Sequence, residues 1–128
     1  MFSLCLPRSL LVSLGLGWRI LVGRDARGND RLTLTVAKPW DLFLHVRAAT
    51  GSHVIVTTPR GKTVPRDTLL DAAELACVYS ERREAEHNEV DYAPRRYVRK
   101  AKGAAPGAVL VERAKTLTVR RDEARRAR

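Results

Sequence analysis

Cysteine is scarce: Cys5 and Cys77 are the only two in 128 residues, far apart and outside any Cys-x-x-Cys or Cys-His spacing. That argues against a disulfide framework and offers no recognisable zinc-ligand pattern. Acid is short as well. Against 24 Lys and Arg stand 14 Asp and Glu, leaving a formal charge of +10 and a pI near 10.6. An excess of that size calls for a polyanionic partner, nucleic acid first, with an acidic lipid surface or an acidic protein behind it. Charge alone accounts for holding phosphate, not for reading a sequence. Long hydrophobic runs are also missing. The most apolar stretch, "MFSLCLPRSLLVSLGLG", carries one charge, Arg8, and is interrupted by Pro7, too short and broken for a spanning helix. As a signal peptide it is out of order, because its basic residue follows apolar ones and no A-x-A site comes after. Residues 1–17 therefore read as an apolar extension, either an extra packed strand or a poorly ordered end. The chain is expected in the cytoplasm without a membrane partner.

No repeat or low-complexity linker divides what remains. One domain is expected over residues 18–120, large enough to bury roughly two thirds of its unfolded surface, and a basic tail over 121–128. "WRILVG" is a strand candidate stopped by the turn-rich "RDARGND". "DRLTLTVAK" is ambiguous: it alternates like a strand, yet Asn29 or Asp30 could cap a short helix that Pro39 closes. "DLFLHV" and "SHVIVT" form two adjacent strands around Thr50-Gly51. "RDTLLDAAELACVYSERR" is the clearest helix, with Leu69, Ala73, Ala76, Cys77 and Ser80 on one face. Its alanines and serine let it lie close against a sheet, and Cys77 reads as a small buried hydrophobe ahead of a reactive thiol. "VDYAP", "RRYVRK", "AVLVE" and "KTLTVR" read as further strands, with "GAAPG" as a turn. The sum is an α+β domain: a mixed, partly antiparallel sheet against one long alanine-rich helix and one short helix. "RRDEARRAR" has nothing to bury and reads as a solvated, mobile end.

The stretch "DLFLHVRAATGSHVIV" places His45 and His53 eight residues apart. Strand alternation puts His45 on the face of Phe43 and Asp41, so Asp41 and His45 could flank one site. Metal binding wants three or four convergent ligands, which this spacing does not supply. Ser52 beside His53 is adjacency, not a catalytic pair. A two-histidine phosphoesterase would need a hydroxyl two residues after each histidine, and here the triplets are His45-Val46-Arg47 and His53-Val54-Ile55. No metal, cofactor or catalytic residue is assigned.

"ILVGRDARGNDRLTL…AKPWDLFLHVRAATGSHVIV" resembles the opening of the NFACT-R domain, also called DUF814. "LLDAAELACVYS" resembles that domain's alanine-rich helix, and "VDYAPRRYVRKAKGAAPGAVLVERAKTLTV" its closing segment. The ordered blocks run from Trp18 to Val119. Phe43 stands where the family usually has tryptophan, and Thr50 where it has the proline of PGSHV. The resemblance implies a helix rather than a strand at "NDRLTLTVA". It also implies an RNA-binding role linked to tRNA and the large ribosomal subunit during rescue of stalled nascent chains. The family's other modules do not fit in 128 residues, so the chain reads as a stand-alone member, and tail addition is not carried over.

Gly23, Asn29 and Gly51 then read as backbone-geometry residues, for tight turns or a cap. Asp41, His45, Ser52 and His53 are expected to line a concave surface, although Asp41 and Ser52 could instead satisfy loop amides and His53 could be a hydrogen-bonded histidine at a strand start. Arg24, Arg27, Lys38, Arg47, Arg96, Arg99, Lys100, Lys102 and Lys115 supply the candidate phosphate patch. These cations would hold an RNA backbone while His45, Phe43 or Tyr97 meets an exposed base or a 2′-hydroxyl. Two other readings stay open: an RNA- or nucleotide-processing enzyme using Asp41, His45 and His53, and a protein-interaction adaptor. Oligomeric state is not legible.

Overall fold

The computed structural model describes residues 10–15 and 18–126. In chain order they form β1 (Leu10–Gly15), β2 (Trp18–Gly23), α1 (Ala26–Arg31) running into a π-helical turn (Leu32–Val36), β3 (Leu42–Val46), β4 (Val54–Val56) and α2 (Arg66–Val78). Then come β5 (His87–Pro94), a 3-10 turn (Arg95–Tyr97), β6 (Val98–Arg99), β7 (Leu110–Val111), β8 (Lys115–Arg120) and α3 (Glu123–Arg126). Six strands make one antiparallel sheet in the order β1-β2-β4-β3-β5-β8, and β6 and β7 pair as a separate ribbon. The α+β class expected from the sequence is the class observed.

The central strands are apolar on both faces because both faces are covered. Ile20, Val22, Leu44, Val54 and Val56 point to one side, where Ala72, Ala73, Ala76 and Cys77 of α2 meet them. Their alternating neighbours Leu21, Phe43 and Ile55 point to the other, against Leu32 and Val98, with Val36, Val109 and Val111 at the margin. Each fully buried Ile, Leu, Val or Phe contributes about 1.5–3 kcal/mol. Small α2 side chains let the helix sit close to the sheet. Cys77 is buried there, and desolvation, followed by the nearby Glu74 charge, pushes its thiol up to about 11.

Several local expectations need correction. The helix after β2 starts earlier than Asn29: Asp25 is the cap, its carboxylate accepting from the Gly28 amide at 2.6 Å. "RDARGND" is thus the first turn of a helix. Leu32 and Val36, four apart, bury against the second core, and the Ala37 amide closes the wide turn on the Leu32 carbonyl at 2.9 Å. Gly23 and Gly51 serve close approach rather than a turn: an added Cβ would lie 2.1 Å from Asn29 Oδ1 and 2.8 Å from Ser80 Cβ, respectively. α2 ends at Val78, short of the run expected through Arg83. There Ser80 Oγ donates to the Cys77 carbonyl at 2.8 Å and Ser80 bridges to Gly51, which turns the chain away.

The two ends also differ from expectation. Leu10–Gly15 pairs with β2 along its whole length, so this part of the apolar extension is an edge strand. Residues 1–9 and 16–17, with Cys5, Pro7 and Arg8, lie outside the described residues. The basic tail is not free either. Arg125 pairs with Asp71 and Arg126 with Glu74, the two carboxylates being 9% and 3% exposed on α2. A buried carboxylate without a partner is costly, and the tail supplies the partners that an isolated reading of "RRDEARRAR" overlooks.

Candidate nucleic-acid interface

His53 opens β4 and ties three segments together. Its amide donates to Asn29 Oδ1 at 3.0 Å, its Nδ1 meets Thr33 Oγ1 at 2.8 Å, and its Nε2 meets the Gly107 carbonyl at 3.0 Å. A carbonyl only accepts, so the proton sits on Nε2 and the Thr33 hydroxyl donates to Nδ1. The ring is 1% exposed, with Phe43 and His45 edge-on at 5.1 and 5.6 Å. Burial first, then the neighbouring His45, lowers its pKa from 6.5 to about 4. His53 is therefore a neutral structural histidine whose two nitrogens are both engaged. Phe43, 1% exposed, is likewise core and has no face to offer a base.

Asp41 is corrected in the same way. It is 3% exposed, and its carboxylate accepts from the Lys38 and Thr58 amides at 2.8 and 2.9 Å. It lies before β3, about 13 Å of extended chain from His45, so the two do not flank one site. Ser52, 8% exposed, keeps its amide on the Tyr79 carbonyl at 3.0 Å. His45 alone of this quartet stays half-exposed. Its Nε2 donates to the Gly51 carbonyl at 3.2 Å, and desolvation lowers its pKa below 6.5. Among the described residues no three His, Cys, Asp or Glu side chains gather as metal ligands would.

The cations divide into two sets. Lys100 is held by Asp30, Nζ to Oδ2 at 3.0 Å, and also donates to the Ala105 carbonyl; Asp30 takes the Gly107 amide as well, so this pair fastens the 100–108 loop to α1. Arg47 stands 4.0 Å from both Glu89 and Asp91, and Arg99 3.6 Å from Glu112. Arg24, Arg27, Lys38, Arg96, Lys102 and Lys115 are exposed with no ion pair among the described residues. Lys115 sits apart on the edge strand β8. The others border α1 and its π-turn: Lys102 through the Lys100–Asp30 tie, and Arg96 through its amide on the Pro39 carbonyl at 3.0 Å. Replacing Arg99 by alanine is expected to change stability by less than about 1 kcal/mol, since its pair is exposed at 60% on both sides; urea unfolding checks this.

Around α1 and Tyr97, sequence reasoning missed three arginines. Arg31 is exposed one turn after Arg27, and Lys38 is exposed just past the π-turn, so three cations follow one another along this segment. The i, i+4 spacing of the arginines was the available signal, hidden while the segment could still be a strand. Arg113, at a left-handed φ of 56°, lies 5.5 Å from the centre of the Tyr97 ring, with Arg96 4.8 Å from it. The hydrogen bond from Arg96, then its charge, holds the phenol below the usual tyrosine range. Arg95, by contrast, is structural, its guanidinium donating to the Thr33 and Val98 carbonyls.

A model of the family described as the NFACT protein RNA binding domain matches residues 15–113. The Rqc2 homolog RqcH of Bacillus subtilis (strain 168) is 36% identical over 106 residues, which is 83% of this chain and 18% of that protein. The ribosome quality control complex subunit NEMF homolog of Drosophila melanogaster is 34% identical over 61 residues, 48% of this chain and 6% of that one. A solved structure of the C-terminal part of the fibronectin/fibrinogen-binding protein from Streptococcus suis superimposes with a TM-score of 0.86 at 31% identity, covering 93% of this chain and 48% of that one. The chain thus corresponds to a small part of the curated relatives it matches. With the family match spanning most of the described sheet, both helices packed on it and the β6–β7 ribbon, the chain belongs to the NFACT-R family of RNA binding domains.

Proposed function

We propose that this chain binds RNA, tRNA or ribosomal RNA, in ribosome quality control, and that it grips the phosphate backbone along the outer face of α1 and its π-turn. The carrying observation is the row Arg27, Arg31, Lys38, extended by Arg24, Arg96 and Lys102, in which every cation is exposed and without an ion pair among the described residues. The acids of that layer are engaged: Asp25 caps α1, Asp30 holds Lys100, and Glu112 faces Arg99. Six cations without an ion pair outnumber Asp25, the one of these acids with no cation beside it, and leave a net positive strip, which attracts phosphate and releases its counterions. The names of the curated relatives supply the ribosomal context.

The reading is one of binding in the cytoplasm rather than catalysis. Asp41 and His53, the acid–base groups an enzyme would need beside His45, spend their polar atoms on the fold. A protein-docking adaptor is the second reading, and the name of the Streptococcus suis relative favours it. Crosslinking the protein to RNA in cells and sequencing the recovered RNA tests the proposal. Enrichment of tRNA or ribosomal RNA is the expected result. No enriched RNA, with protein partners that survive ribonuclease, would favour the adaptor.

A further inference from the structure

A groove runs between the start of α1, the β3–β4 turn, the end of α2 and the 100–108 loop. Its volume is about 750 Å³, inside the roughly 300–1,000 Å³ of small-ligand sites. Four separated segments converge on it, so its shape is a property of the folded domain. One wall carries Tyr79, an aromatic ring 41% exposed where most large apolar side chains here are covered. Pro106 and Gly107 line the groove as well, Gly107 being fixed by its bonds to Asp30 and His53. The half-buried His45 also lines it.

Two carboxylates and two arginines line it. Glu81 spends Oε1 on the Thr50 amide at 2.8 Å, and Asp25 caps α1. Arg24, just before α1, and Arg83, past the end of α2, line the groove too and are exposed without an ion pair among the described residues. An exposed aromatic ring, an imidazole and two cations without ion pairs, all lining one groove, suit a flat, hydrogen-bonding group joined to phosphate on either side.

We propose that this groove receives one unpaired nucleotide of a bound RNA, its base against Tyr79 and in contact with His45, and its flanking phosphates on Arg24 and Arg83. The inference rests on the RNA-binding reading and adds a preference that the α1 strip lacks. A row of cations holds paired and unpaired RNA alike, whereas the groove admits only a base free of its partner. The chain would then favour single strands, loops or ends over duplex.

The test titrates the full chain with a short single-stranded RNA and with a blunt duplex of the same length. Tyr79→Ala should weaken single-strand binding by about tenfold or more, the range of one base–aromatic stack, leave duplex binding unchanged, and be rescued by Tyr79→Trp. Ultraviolet crosslinking of the single strand to the unaltered protein should mark the tryptic segment that holds Tyr79, a readout independent of how the variant folds. Unchanged single-strand affinity, an equal loss for both RNAs in folded Tyr79→Ala, or crosslinks confined to other segments would overturn the groove. If Arg27→Glu with Lys38→Glu still abolishes duplex binding in that case, the RNA-binding reading stands without it. Failure to bind either RNA at low salt overturns both.

Discussion

Replacing Arg27, Arg31 and Lys38 together by glutamate should lower RNA affinity by about a hundredfold or more at 0.1 M salt, because each phosphate contact contributes a factor of about five to eight there through counterion release. The same variant should flatten the salt dependence, reducing the slope of log K against log salt by about 2 to 3. Stability should hardly change, since all three side chains are exposed and unpaired. Fluorescence anisotropy across a salt series reads both affinity and slope. An unaltered slope would place the phosphate contacts elsewhere on the molecule. Because the three cations follow one another along α1 and just past its π-turn, glutamates at the paired positions Arg47 and Arg99 should have a clearly smaller effect.

The second large effect is on stability and concerns His53. Its folded pKa lies near 4 against an ordinary 6.5, so the unfolded chain binds a proton that the folded one refuses. Stability from this group is fully present above pH 6.5 and is lost as the pH falls toward 4. At pH 5 the loss is about 2 kcal/mol relative to pH 7.5. His45, lowered in the same direction by burial, adds to it with the same sign. His53→Leu should remove most of this slope. It should also cost about 1–3 kcal/mol at pH 7.5 for each polar group left bare, since the Thr33 hydroxyl and the Gly107 carbonyl lose their partner. Urea unfolding at the two pH values distinguishes the outcomes: equal pH slopes for the two proteins would mean that His53 is not the titrating group.

These effects rest on features that differ in how far the sequence exposes them. The strands around "DLFLHV" and "SHVIVT" and the alanine-rich helix were legible, because alternation and helical spacing reflect which face is buried. The helix at Leu32–Val36 was legible only through the family resemblance, since an alternating β-branched run loses its strand character only when β6 and β7 arrive to cover Leu32 and Val36. The site was less legible than the fold. Asp41, Phe43 and His53 read equally well as ligands for RNA or as internal scaffolding; what decides is whether Thr33, Thr58 and Gly107, distant in sequence, come within hydrogen-bond reach. Charge pairing is equally hidden. Lys100 and Lys102 look alike in the chain, but only Lys100 meets Asp30, seventy residues earlier. Tyr79 and Arg83 drew no notice because nothing local says that the end of α2 faces a groove.

The most direct measurement titrates tRNA, duplex RNA and duplex DNA into the protein over a series of salt concentrations. The account predicts binding to both RNAs at low salt, falling steeply as salt rises, with RNA preferred over DNA of the same length. Absence of RNA binding at low salt, or equal affinity for RNA and DNA, would contradict it.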